Sequence, residues 1–400
     1  MKQVIKETVK YMWRSEKNRL FMFISTALVI LYTVFVLPNI SGENEIDVEM
    51  LEREMSGNVV QFEGALDEGL LIPSIMTGTT AYASQRQESV SQRQLLTVLK
   101  QGDVKRYIEI SYRPETSTTT EMGGLSQLAF NLFGYDIEQP YQTSKYNYYL
   151  DEVKSLSFHI VHERTSLQQI HLFLIGFGPI LMLMGLIFLI SDIHVKDRSL
   201  QTLKIVVPMS WQKYSFVQAL TAFGFVTLFY IAIFAVFILF NGLLHGFGTL
   251  NLPVGFYEAN FEYGFLNQDN YQIQTIGWFL MQAAPYLVLL GYLFTRLNSL
   301  FSVWTKQSVV TMVLGLFVLF FQFIYFGSDS KDMLGIDIRW LPQTYFDFGK
   351  VLTGRLEQQL LVSMPDLFRD GLIVLGITIA IVEVCIYISS KMITRQKFVG

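Results

Sequence analysis

Six apolar runs decide what this chain can fold into. They fall at about 20–37, 170–190, 216–244, 275–297, 308–326 and 371–389. Each is near or above the roughly 20 residues that a helix needs to cross the hydrocarbon of a bilayer. The composition agrees: 51% of the residues are hydrophobic and only 16% are charged, against roughly 25% charged in soluble chains. The fold class expected is an integral membrane protein, mainly α, with six transmembrane helices. Within the runs, Pro179 should kink the second, Pro285 should break the fourth, and the third is long enough to tilt or to extend past the bilayer.

The basic residues orient these spans. Lys and Arg crowd the segment before the first run, the 191–215 loop, the short Arg296–Lys306 loop and the tail, where Lys391, Arg395 and Lys397 lie. The 245–274 loop has none. Cytoplasmic loops carry the excess of Lys and Arg, so both termini are expected to be cytoplasmic. Residues 1–19 put Ile5, Val9, Met12 and Trp13 on one helical face, with Lys2, Lys6, Lys10, Arg14 and Lys17 around the rest. That pattern predicts an interfacial helix, followed by an uncleaved first span at 20–38, since the apolar run exceeds a signal peptide's and no small-x-small site follows.

Residues 39–169 are too long and too acidic for a simple loop and should form an extracellular domain. Glu43, Glu45, Asp47, Glu49, Glu52 and Glu54 crowd its start. Gln85 to Lys100 reads as a helix, Val104 to Tyr112 alternates as a strand, and 116–124 reads as a polar loop. Tyr146 to Val161 fits helix and strand equally. A small α/β extracellular domain is expected.

The stretch from Ser191 to Ala219 lies between two apolar runs and is too polar for hydrocarbon. Leu200, Leu203, Val206 and Val207 recur at helical spacing, Pro208 ends the helix, and Ser210 can cap the next one. A short helix at 196–208, lying along the inner face, is expected. Its wording resembles the loop between the second and third spans of the type-two ABC export permeases. The matching features are the Asp197–Arg198 pair, the turn from Leu200 to Leu203, and the Pro208, Met209, Ser210 close. A second likeness is the stretch from Trp340 through Pro342 and Tyr345 to Gly354, which resembles the Pro-x-x-Tyr segment and the external helices after the fifth span of the same family. External helices are thus expected within 328–370.

The resemblance implies a half-transporter with a coupling helix docked in a separate cytoplasmic ATPase, and a second permease subunit, identical or not, across a shared path. Asp197 and Arg198 would supply charged contacts to the ATPase, Leu203 an apolar knob and Pro208 a rigid exit. The substrate would be a peptide antibiotic, lipid, drug or ion. ATP and Mg would sit on the partner, because the chain has no G-x-x-x-x-G-K-[ST] phosphate loop. No catalytic, cofactor or metal residues are assigned in this chain. His159, His162 and Glu163 lack the H-E-x-x-H order and read as polar surface. Nucleic acid is not an expected partner, since no basic patch with interleaved aromatics lies outside the membrane flanks. Cys385 is the single cysteine, so no internal disulfide can form, which fits a bacterial plasma membrane. Glu383 lies inside the last run. Acids at such depth face the protein interior or a water-filled cavity, so it serves either as a structural hydrogen bond or on a path or interface. A membrane sensor or scaffold whose outer domain binds a ligand is the alternative; a neighbouring ATPase gene would favour export.

Overall fold

The computed structural model describes residues 1–39, 48–67, 81–111, 139–195, 210–258, 271–326, 332–333, 335–360 and 363–392. The chain divides into two compact units, one built from Met1–Pro38 and Thr165–Gly400, the other from Asn39–Arg164.

The Asn39–Arg164 unit contains only helices among its described residues: α3 (Val48–Asp67), α4 (Ala81–Gln101), α5 (Val104–Ser111), α6 (Gln139–Glu152) and α7 (Phe158–Val161). The expected helix near Gln85–Lys100 is present as α4. The expected strand at Val104–Tyr112 is instead helical through Ser111, which corrects the α/β reading of this part. Val104, Tyr107 and Ile108 are the buried positions, a spacing of three and four that a helix needs. Asp103 also caps the turn, its carboxylate accepting from the Arg106 amide at 3.2 Å. The alternation of Tyr107, Glu109 and Ser111 with Ile108 and Ile110 was compatible with both periods, and the cap decided between them. Tyr146–Val161 resolves as the end of α6, a bend and α7.

In the other unit, α1 (Lys2–Arg14) packs Val4, Thr8 and Met12 inward. Then α2 (Glu16–Leu31) begins a helical run that continues to Asn39. The second expected span is two helices, α8 (Ser166–Ile175) and α9 (Gly178–Ile190), bent by 75° to each other. The break lies at Gly176–Phe177, ahead of Pro179, which sits in the first turn of α9 as prolines prefer. A Cβ at position 349 would lie 2.1 Å from the Leu174 carbonyl, so only Gly349 lets α13 (Phe348–Leu352) press against this break.

Helix α10 (Trp211–His245) has 35 residues, about 52 Å of helix, longer than hydrocarbon requires. Strands β1 (Pro253–Tyr257) and β2 (Tyr271–Thr275) form an antiparallel hairpin with Pro253 opposite Thr275. Helix α11 (Ile276–Thr305) follows, with the Thr275 side chain accepting from the Trp278 amide at 3.3 Å. It packs against α9, α10, α12 (Ser308–Phe326) and α15 (Leu367–Met392), and so forms the centre of the bundle. Four described helices are long and apolar enough to cross a membrane, five if the bent pair is one span. The chain is a multi-pass membrane protein, mainly helical.

Between α12 and α15 lie β3 (Asp332–Met333), β4 (Ile336–Asp337), two 3-10 turns, α13 and α14 (Arg355–Leu360). Tyr286, Tyr345, Phe348 and Phe368 cluster there, with ring centroids 5.8–6.3 Å from Tyr286. Asp347 is largely buried beside Lys350, 3.1 Å away. Burial holds its carboxyl above the usual range, against the opposing pull of Lys350. Gly354 has φ +69°, and its Cβ position lies 1.8 Å from the Tyr257 carbonyl. The chain can therefore run close enough for the Tyr257 amide to donate to Thr353 at 2.9 Å.

Candidate functional site

Asp197, Arg198, Leu203 and Pro208, with the whole expected helix at 196–208, lie outside the described residues. What is described is the frame on each side of them. The carbonyls at the end of α9 have no partner within the helix, as at any helix C-terminus. Side chains from three other helices take them up. Lys17 of α2 donates to the Phe188 carbonyl and to the Ser191 hydroxyl, each at 2.8 Å, and pairs with Asp192 at 2.6 Å. Asn298 of α11 donates to the Ile190 carbonyl at 2.9 Å, and Gln218 of α10 to the Ile193 carbonyl at 3.0 Å. His194 meets the Ser299 hydroxyl at 2.8 Å. Ser191, Ile193 and His194 are all buried.

The other side of the 196–209 stretch is held as well. Ser210 occupies the cap position of α10, but its side chain makes no capping bond, contrary to the expectation from its type. The start of α10 is fixed instead by packing and by side chains. Tyr214 and Val217 bury against Val4 of α1, with Trp211 beside them. Gln212 donates to Ser390 at 2.7 Å, and Trp304 to Ser389 at 3.0 Å. The ends of α9, α10, α11 and α15 are thus cross-linked around the two points where the 196–209 stretch leaves and rejoins the bundle.

One turn deeper lies an ion pair. Arg296 was expected to flank a short loop. It lies instead within α11, which runs on to Thr305, and its side chain is 4% exposed. Its Nε donates to Glu383 Oε1 at 2.5 Å and its Nη2 to Oε2 at 2.7 Å, a two-pronged arrangement. The Tyr292 hydroxyl donates to the same Oε1 at 2.7 Å. The guanidinium lies 5.4 Å from the Phe216 ring centroid, within cation–π range. Glu383 therefore joins α15 to α11.

In the other unit, Glu163 pairs with Lys145, and the His162 ring packs edge-on to Tyr107 at 6.1 Å. These groups hold α5, α6 and the turn after α7 together.

Sequence reasoning missed Lys17, Gln218, Arg296, Asn298 and Ser299. A signal for three of them is present: Arg296, Asn298 and Ser299 fall at the apparent end of the fourth apolar run, yet Leu300, Phe301 and Val303 continue it. Compared with protein families, curated proteins and solved structures, the chain matches none. The likeness to export permeases rests on the residues of 191–219 and 340–354.

Proposed function

We propose that the chain is the membrane-spanning permease subunit of an ATP-driven ABC exporter in a bacterial plasma membrane. It has six spans, both termini in the cytoplasm and the 39–169 segment outside. The bent pair α8–α9 would count as one span and α12, at 19 residues, as another. A separate ATPase carrying ATP and Mg would dock on 196–208, and a second permease subunit would complete the path.

The observation that carries this reading is the cross-linked frame around 196–209. A docking element moves spans only if force applied to it cannot be lost in slack at its ends. Here the chain leaving α9 is tied to α2, α10 and α11 through Lys17, Gln218 and Asn298. A push on 196–209 is therefore delivered to the bundle rather than to one helix.

The test uses the chain co-expressed with a candidate ABC ATPase from the same organism. Loss of a partly buried charged contact at an interface costs about 2–5 kcal/mol, against about 0–1 kcal/mol for a solvated pair. Asp197→Ala, Arg198→Ala and Leu203→Asp should strip the ATPase from an otherwise folded subunit. Asn298→Ala should leave the ATPase bound and lower transport per ATP hydrolysed. Normal binding and transport in all four variants would remove the ground for the permease reading.

A further inference from the structure

The outward side of α1 carries two parallel stripes that the docking argument does not use. Met1, Ile5, Val9 and Trp13 recur every fourth residue and are exposed, Trp13 at 63%. Lys2, Lys6, Lys10 and Arg14 also recur every fourth residue and are exposed. Residues four apart lie on one helix face, about 6 Å apart along the axis. Val4, Thr8 and Met12 form the third face and are buried. In angular order the helix thus presents a protein-facing side, an apolar stripe and a basic stripe. Glu7 is its one acid.

Chain continuity places this helix at a bilayer surface. Only Ser15 separates it from α2, and the candidate span Glu16–Asn39 begins there. An apolar stripe turned toward acyl chains with a basic stripe beside it matches the interface of a bilayer in charge and in polarity.

We propose that α1 is a docking surface for anionic phospholipid headgroups, held by Lys2, Lys6, Lys10 and Arg14 while Ile5, Val9 and Trp13 enter the acyl boundary. Neutral lipid satisfies the apolar stripe and leaves four cations without counter-charge. Anionic lipid satisfies both. The inward face grips Tyr214 and Val217 at the start of α10, so headgroup binding also fixes that helix end relative to the bilayer. The proposal does not rest on the permease reading.

Each basic side chain near an anionic surface is worth about fivefold in binding. The test titrates the full chain, purified in neutral detergent, with phosphatidylglycerol or phosphatidylcholine and counts retained lipids by native mass spectrometry. The wild type should bind phosphatidylglycerol at least about tenfold more tightly, with the preference falling in 0.5 M salt. K2Q/K6Q/K10Q/R14Q should bring the two lipids to within about twofold, and the half-sets K2Q/K6Q and K10Q/R14Q should each lose part of the preference. K306Q/K391Q should keep it. Glycerol 3-phosphate should not compete. The proposal is overturned if the wild type shows no preference, if the stripe variants keep it, if K306Q/K391Q lose it, or if glycerol 3-phosphate displaces the lipid.

Discussion

The Arg296–Glu383 pair makes an asymmetric prediction. Glu383→Leu removes both oxygen partners of a guanidinium whose side chain is 4% exposed. Breaking a buried pair from one side costs about 3–5 kcal/mol, because the stranded charge has lost its compensation. Arg296→Met strands a carboxylate that is 34% exposed and still receives the Tyr292 hydroxyl, so its cost should be about 1–2 kcal/mol. Replacing both removes the stranded charge altogether, and the doubly apolar variant should lie within about 1 kcal/mol of the wild type. For a chain of 400 residues, at about 1.2 °C per kcal/mol, Glu383→Leu should lower the thermal midpoint by about 4–6 °C, Arg296→Met by about 1–2 °C, and the double variant by about 1 °C or less. Tryptophan fluorescence of the purified chain in mild detergent reads all three midpoints. A double variant less stable than both singles would refute the reasoning, because the pair would then contribute net attraction rather than mutual compensation.

Three further outcomes are expected. Burial raises the Asp347 carboxyl, so the native state holds its proton more tightly than the unfolded one. Its stabilising effect is full below the unfolded value near 4 and is lost as pH rises through the raised native value; Asp347→Asn should flatten that decline in a thermal melt across pH. Gly354→Ala meets φ +69° and the Tyr257 carbonyl, costing about 1–2 kcal/mol from conformation alone and more from overlap, read as a lower midpoint and faster amide exchange at Tyr257. With Cys385 replaced by Ser, cysteines at positions 84 and 330 should label from outside intact cells and one at position 199 should not, and labelling at 199 would reverse the orientation.

Sequence periodicity located the long apolar helices well, because span length and lipid exposure leave direct marks on composition. Helices α2, α10, α11 and α15 fall where the runs are. It failed where a choice depended on contacts remote in the chain. Glu383 is visible as an anomaly in an apolar run, but its partner lies 87 residues earlier, at a position whose sequence context resembles a loop. The bend at Gly176–Phe177 falls within one turn ahead of Pro179, where the sequence places a kink, whereas the close approach of Gly349 to it leaves no local signal. The 104–111 helix was missed because its eight residues satisfy both periods until the Asp103 cap is counted. The coupling residues Asp197, Arg198, Leu203 and Pro208 remain a reading of the sequence.

The bend between α8 and α9 has a consequence for how the chain is made. Residues 166–190 leave the ribosome as a nearly continuous apolar stretch, long enough to cross the bilayer as one straight helix. Gly349, whose missing side chain admits the Leu174 carbonyl at the break, is synthesised about 160 residues later. At about 5–20 residues per second that interval is about 8–30 s. The close packing of Gly349 on this break can therefore form only after the 348–352 helix has been made. A bulkier residue at position 349 would meet the Leu174 carbonyl and could not pack on the break as glycine does.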